Sequence, residues 1–155
     1  MTMPANAGKK DSNMTELQGQ WQTYPAESTE NGRTIIVTVR TDIEKFRENP
    51  RFIYRMTIAW PYQGGADGMP DEPTAELMEQ ATDLLAETFR KDPVAVLTEI
   101  STGDDRREWV FQTQSLGIFN KKINQALQSL PLLPLEFEAE EDPEWELYTE
   151  GLPEI

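Results

Sequence analysis

The order of two hydrophobic periods along residues 51–139 constrains the fold more than any other feature of the sequence. Four segments have the alternation or the β-branched and aromatic content of β-strands: residues 51–62, 94–101, 107–113 and 135–139. Two segments carry apolar side chains at helical spacing: residues 73–91 and 115–130. The resulting order, β-α-β-β-α-β, is that of the split βαβ or ferredoxin-like unit. It predicts an α+β fold in which the last strand lies beside the long strand over residues 51–62, and both helices cover one face of an antiparallel sheet.

Segments before this unit extend the predicted fold. Residues 21–27 and 33–41 are also strand-like, and the Glu-Asn-Gly turn between them predicts an added N-terminal β-hairpin. Where this hairpin attaches to the sheet does not follow from the sequence. Residues 1–16 have no apolar period and are predicted to be a disordered tail. Because a chain of 155 residues suits one domain with a proper core, we expect a single domain over residues 17–155.

A short C-terminal helix is predicted to begin after Asp142. Asp142 suits the N-cap, Pro143 the first helical position, and Gly151 the position after the helix. Trp145 and Tyr148 lie three residues apart, so they share one side of this helix and are expected to clamp it onto the sheet. The alternative is an aromatic platform for a ligand.

The C-terminal region is strongly acidic. Nine acidic residues and no basic ones follow Lys122, within a chain of formal net charge −14. Apolar and aromatic residues interrupt the acids, so this region is predicted to be folded and to present an acidic face. In the last strand, Leu135, Phe137 and Ala139 are expected to point inward and the intervening glutamates outward. Basic residues near the start of the fold are expected to neutralise these acids, with a separate anion site as the alternative: Arg33, Arg40, Lys45, Arg47, Arg51 and Arg55.

Composition excludes several classes of function. The chain has no cysteine and no histidine, which removes disulfides, thiolate and imidazole metal sites, and the commonest general base. No apolar stretch approaches the roughly 20 residues that span a bilayer, and the N-terminus lacks the apolar core of a signal peptide. A pI near 4.3 predicts repulsion from nucleic acid and from anionic membranes. We therefore expect a cytoplasmic protein that binds neither.

The glycine-rich loop over residues 63–72 invites comparison with a phosphate-binding loop. It lacks both the Lys-Ser/Thr ending of a Walker loop and the GxGxxG spacing, and its acids would repel phosphate. Asp67, Asp71 and Glu72 are of the type that holds a hard cation, but their spacing does not match an EF-hand. A plain connection between strand and helix is the favoured interpretation.

A tight turn over residues 103–105 precedes a strand with adjacent charged and aromatic positions. Trp109 and Phe111 share one face of this strand and are predicted to lie in the core. Arg106, Arg107 and Glu108 are interpreted as solvated edge charges. The alternative is an exposed arginine pair that recognises a carboxylate or phosphate.

Two segments together resemble the bacterial domain of unknown function (DUF) family 695. They are the Arg-Glu-Trp-x-Phe strand within residues 103–111 and the Asp-Pro-x-Trp-x-x-Tyr motif that begins at Asp142. Residues 21–24 and 68–70 fit the usual layout of that family, and the resemblance covers residues 17–153. The family has no established activity, so the resemblance implies a domain type and no reaction.

The resemblance has one departure and one wider analogy. Gln112 and Thr113 stand where the family often has a tyrosine, which weakens any role assigned to the turn before this strand. Some members of the family look fused to a domain similar to the ribonuclease E inhibitor called regulator of ribonuclease activity B, itself an acidic ferredoxin-like protein. That analogy concerns fold and neighbourhood alone.

Three functions stay open. The first is a non-enzymatic binding or regulatory module that engages a basic partner protein through a sheet edge and an acidic surface, with a homodimer through an edge or the open sheet face as a further option. The second is a carboxylate enzyme, with or without magnesium, around the acids of the 63–72 loop. The third is an immunity or inhibitor protein of a basic nuclease, with its acids on one convex surface. No catalytic residue, metal ligand or cofactor is predicted, and the candidate binding residues are Arg106, Arg107, Glu108, Asp142, Trp145 and Tyr148.

Overall fold

The computed structural model describes residues 19–152. Within this range the strands are β1 (Trp21–Glu27), β2 (Thr34–Arg40), β3 (Tyr54–Pro61), β4 (Ala95–Gly103), β5 (Arg106–Thr113) and β6 (Glu136–Glu141). The helices are α1 (Glu44–Arg47), α2 (Glu72–Lys91), α3 (Leu116–Ala126) and α4 (Glu146–Gly151). The tail predicted over residues 1–16 lies outside the described residues.

All six strands form one antiparallel sheet in the order β1-β2-β4-β5-β3-β6. The segment from β3 to β6 is the predicted split βαβ unit, and β6 lies beside β3 as expected. The α+β prediction is therefore confirmed. The N-terminal hairpin continues the sheet through the pairing of β2 with β4, so β1 and β6 are its two edges.

The main core lies between the sheet and the helices α2 and α3. Side chains from β3, β4 and β5 meet both helices, and the rings of Phe89, Phe111 and Phe119 contact one another with centroids 5.0–5.4 Å apart. Ser115 caps α3 as predicted, because its hydroxyl accepts a hydrogen bond from the Ile118 amide at 3.2 Å. Trp109 is fully buried here, as the sequence predicts.

A second apolar cluster covers part of the opposite face of the sheet, which we call the second face. Val96 belongs to it, whereas its neighbours Ala95 and Leu97 belong to the main core, as alternation along a strand requires. Its buried members are Val39, Ile43, Phe52, Val96, Trp145 and Tyr148. The cluster attaches the C-terminal segment to the sheet, as predicted for Trp145 and Tyr148.

The predicted start of the C-terminal helix is wrong. The helix begins at Glu146, and Trp145 before it has a left-handed backbone with φ of 57°. Asp142 instead continues from β6, since its amide donates to the Ile53 carbonyl at 2.7 Å. The chain must then turn sharply to return the indole of Trp145 to the sheet, so residues 143–144 form a turn rather than a first helical turn. Gly151 is the last residue of the helix rather than the residue after it.

The last strand has the expected orientation but little cover: Leu135, just before it, packs against the main core, whereas the strand itself is exposed. All six residues of β6 are exposed, and Phe137 retains 45% of its accessible surface. Phe137 and Ala139 do lie on the helix side of the sheet, opposite Ile58 and Met56. However, α3 ends at Ala126, earlier than predicted, and the segment after it lines an open groove beside Phe137.

Candidate functional site

The alternative of an exposed arginine pair does not hold, because Arg106 and Arg107 lie on opposite faces of the sheet. Alternation along β5 places Arg106 on the second face and Arg107 on the helix side. Arg107 donates to the hydroxyls of Thr82 and Thr102, both at 2.9 Å, and its guanidinium lies 5.2 Å from the ring centre of Trp109. Burial lowers the pKa of Arg107, which is a constituent of the fold rather than a solvated charge.

Arg106 and Glu108 form an ion pair on the second face. The Nε of Arg106 donates to Glu108 Oε2 at 2.6 Å, and its Nη1 lies 3.6 Å from Glu136 Oε1 on β6. Hydrogen bonding and the attraction of these glutamates raise the pKa of Arg106. Arg106 and Glu108 therefore neutralise each other at the sheet surface, and little net charge is left there to attract a ligand.

The other three predicted binding residues serve as structural anchors. Trp145 is 1% exposed and its indole N–H donates to the Phe52 carbonyl at 3.0 Å; Tyr148 is 2% exposed and its hydroxyl donates to the Arg40 carbonyl. Asp142 is buried, and its Oδ1 accepts from the Glu146 amide at 3.0 Å. These rings lack the exposed surface that a ligand platform requires.

Gln112 is a buried residue that sequence reasoning did not select. Its side-chain amide donates to the carbonyls of Phe52 and Asp142, each at 3.3 Å. It thus ties the start of β3 to the end of β6 at the base of the second cluster. Gln112 is also where the sequence departs from the family pattern, and that departure was its only signal.

The acids of the 63–72 loop do not converge on a site. Asp67 Oδ1 accepts from the Met69 amide at 3.0 Å, and Asp71 Oδ1 accepts from the Thr74 amide at 2.9 Å and caps α2. The bond from Thr74 lowers the pKa of the Asp71 carboxyl. All three acids of the loop, including Glu72, are exposed. Across residues 19–152, no group of three or more acidic, histidine or cysteine side chains could hold a metal ion.

Gly68 fixes this loop against the turn between β4 and β5. Its φ is +79°, and a Cβ added there would lie 2.9 Å from the Asp104 amide nitrogen. Its carbonyl accepts bonds from the Tyr62 hydroxyl at 2.7 Å and the Asp105 amide at 3.0 Å. The loop is therefore a packed connection, as the sequence predicts.

The basic residues of the N-terminal half do not neutralise the C-terminal acids through ion pairs. Arg33 pairs with Asp104 and Asp105, at 3.5 and 3.3 Å, and Arg40 pairs with Asp42 at 2.9 Å. Between residues 19 and 152, the one salt bridge that reaches β6 or α4 is the 3.6 Å contact of Arg106 with Glu136. Arg33 and Arg40 thus have nearer acidic partners, whereas Arg55 lies directly opposite Glu140 of β6 and Arg47 bonds to Thr149 of α4, so neutralisation by the basic residues as a group stays a prediction.

An exposed acidic edge results at β6. Glu136, Glu138 and Glu140 project from the second face, opposite Ala59, Thr57 and Arg55 of β3. The outer side of β6 pairs with no other described strand, so it presents unpaired backbone N–H and C=O groups. We call this outer side, over Glu136–Glu141, the β6 edge.

An apolar groove adjoins the β6 edge on the helix side. It has a volume of about 400 Å³, and its lining consists largely of leucines from the end of α3 and the segment that leads into β6. Leu132 is fully exposed beside it, and the exposed ring of Phe137 forms one wall. Its apolar members are Ile123, Leu127, Leu130, Pro131, Leu132, Leu133, Leu135 and Phe137.

A second pocket, of about 290 Å³, lies between α2 and the strands β1, β2 and β4. It contains several charged side chains, but nearby acids already engage its arginines: Arg40 bonds to Asp42, and Arg90 pairs with Glu87. Asp42 has a lowered pKa although burial opposes this, because it accepts bonds from Gln20 and Arg40. The pocket therefore lacks the converging free polar groups of a binding site.

Comparison with known proteins identifies one family. Residues 19–152 match a family described as "Family of unknown function (DUF695)". No curated protein and no solved structure matches the chain. The likeness to the ribonuclease E inhibitor therefore stays an analogy. In residues 19–152, no helix is both long and apolar enough to cross a membrane.

Proposed function

The chain belongs to a family of unknown function, DUF695, and we propose that it is a non-enzymatic protein-binding module that engages a basic partner protein through the β6 edge. The observation that carries this proposal is the combination of unpaired backbone, an excess of exposed glutamates and exposed apolar surface along one strand. Unpaired edge backbone and exposed apolar surface are unfavourable in water, and a partner protein could pair with the one and cover the other.

Charge at the β6 edge supports a basic partner rather than a neutral one. Four of the six residues of β6 are glutamates, and three of them share the second face. A basic surface that approaches this edge gains attraction and loses no existing ion pair apart from the weak contact of Arg106 with Glu136. Such complementarity speeds and orients association more than it adds affinity.

The two other functions have weaker support. A carboxylate enzyme in the 63–72 loop would need acids that converge with raised pKa values, and these acids are separately exposed. Glu99 on the second face does have a raised pKa, caused by burial and by nearby Glu108, but Arg55 opposes the shift and Glu99 lines neither of the two pockets described above. An inhibitor of a basic nuclease is one special form of the proposed module. It would use the same glutamates.

Matched charge variants test the proposal. The first changes Glu136, Glu138 and Glu140 to glutamine, and the control changes Glu144, Glu146 and Glu150, three exposed acids of the same region, in the same way. Both lose three negative charges, so net charge cannot distinguish them. We expect wild type and the control to capture the same basic protein from native lysate at about 50 mM salt and to release it at about 500 mM.

The β6 variant should fail to capture that protein. Equal capture by both variants would refute the assignment to the β6 edge, and absence of any retained protein at low salt would refute the module itself. If the captured protein is a nuclease, inhibition of its activity would identify the special case.

A further inference from the structure

We propose that the β6 edge binds by β-augmentation, and that the bound segment is an extended peptide in which basic and apolar residues alternate. The peptide would join the six-stranded sheet beside β6. This inference rests on the proposed function and specifies its binding mode and the chemistry of the partner.

The backbone of β6 is regular enough to accept a strand. It pairs with β3 over six consecutive residues without a register shift, and it contains neither proline nor glycine. Natural edge strands are commonly blunted by proline or by a bulge. At the opposite edge, β1 carries Pro25, which has no N–H to donate. Along β6, alternate residues therefore present unpaired N–H and C=O groups in regular sequence.

Charge determines which strand is acceptable. If two copies paired antiparallel about a two-fold axis centred on Glu138, Glu136 would face Glu140 and Glu138 would face its own copy. Like charges directly opposite each other destabilise a sheet. A homodimer through this edge is thereby disfavoured, and a segment with lysine or arginine opposite the three glutamates is favoured.

The helix side of the same strand favours apolar residues in the bound peptide. Phe137 and Ala139 alternate with the glutamates and point toward the side of the groove. Residues directly opposite across two strands have Cβ atoms about 4.5–5.5 Å apart. An apolar side chain opposite Phe137 would therefore cover its exposed ring and reach the leucines of the groove. One peptide face is thus basic and the other apolar, whichever direction the peptide runs.

A pair of synthetic peptides tests this pattern. The first, acetyl-Arg-Leu-Lys-Val-Arg-Leu-amide, alternates in the required way. The second, acetyl-Arg-Lys-Arg-Leu-Val-Leu-amide, has the same composition and charge in blocks. Titrated into the full-length protein at about 50 mM salt, the alternating peptide should bind at least tenfold more tightly, which corresponds to about 1.4 kcal/mol. Equal affinities, or no binding by either peptide, would overturn the inference.

Backbone pairing is tested separately with N-methylated peptides. In the bound peptide, every second backbone amide faces β6. Methyl groups on those amides should abolish binding, whereas methyl groups on the other amides should leave the affinity unchanged. If neither set matters, strand addition is wrong. Replacement of Ala139 by lysine should also lower the affinity for the alternating peptide by tenfold or more, because it places a charge on the helix side of β6, where the apolar side chains of the peptide would lie.

The outcomes separate this inference from the proposed function. If both peptides bind equally and the glutamine variant of β6 weakens both, the acidic edge still binds basic partners, and only strand addition fails. The inference would be overturned in favour of a second copy if sedimentation showed a dimer. That dimer would also have to exclude the alternating peptide and to dissociate in the Ala139→Lys variant.

Discussion

Two consecutive segments of the C-terminal region, β6 and residues 142–152, each carry four acidic residues but differ in burial. In β6 every residue is exposed, and Phe137 retains almost half of its surface. In the next segment, Asp142, Trp145 and Tyr148 are buried. The difference shows that anchoring depends on whether aromatic side chains are covered by the sheet, as Trp145 and Tyr148 are and Phe137 is not. We therefore treat a negative run as a candidate binding surface only where its apolar neighbours stay exposed.

The largest expected effect of a single change in this region is on stability at Trp145. Trp145→Ala removes a buried indole and its bond to the Phe52 carbonyl, so the free energy of unfolding should fall by about 3–5 kcal/mol. Leu147→Ala, at a partly exposed position of the same helix, is the control and should cost less than about 1 kcal/mol. Urea denaturation measures both. Equal small losses would mean that the segment is not anchored as described.

The glutamates of β6 should show the reverse behaviour. Replacement of Glu136, Glu138 and Glu140 by glutamine should change the free energy of unfolding by less than about 1 kcal/mol, because the side chains are exposed. The same replacement should lower the affinity for the alternating peptide by roughly threefold to a hundredfold, because each exposed ion pair contributes about 0.2–1 kcal/mol. Calorimetric titration and urea denaturation of the same variant give the two values. A large stability loss with unchanged binding would reverse the assigned roles.

Much of this arrangement follows from the sequence. Alternation and helical spacing predict the split βαβ order, and the spacing of Trp145 and Tyr148 predicts their packing, since each depends on residues close in the chain. The exposure of Phe137 does not follow, because alternation assigns a side chain to a face but does not show whether anything covers that face. Nor do the ion pairs of Arg33, which depend on the distant turn at Asp104 and Asp105 that the fold brings near it.

A smaller effect is expected at Tyr148. Tyr148→Phe keeps the ring and removes the hydrogen bond to the Arg40 carbonyl, which should lower the free energy of unfolding by about 0.5–1.5 kcal/mol. Affinity for the alternating peptide should stay unchanged, since Tyr148 lies in the second cluster rather than at the β6 edge. A loss of peptide affinity without a loss of stability would mean that this segment itself contacts the partner.

The smallest expected effect is a pH-dependent difference in stability between the buried Glu99 and the exposed Glu138. Burial raises the pKa of Glu99, so the unfolded chain releases this proton at lower pH than the folded chain does. Ionisation of Glu99 therefore lowers stability as the pH rises from the ordinary glutamate range, about 4.3, through the raised folded value. Glu99→Gln should be more stable than wild type at neutral pH and equal to it at low pH. Urea denaturation at both values checks this, and Glu138→Gln is the exposed control. A Glu99→Gln advantage that is the same at both pH values would contradict it.

Amide hydrogen exchange along β6 tests the central claim most directly. The exchange of each residue from Glu136 to Glu141 would be measured with and without the alternating peptide. We predict that the peptide slows exchange at alternate residues of β6, those whose N–H groups face away from β3, and leaves residues 146–151 unchanged. Protection confined to residues 146–151, or no change along β6 when the peptide is bound, would contradict the account.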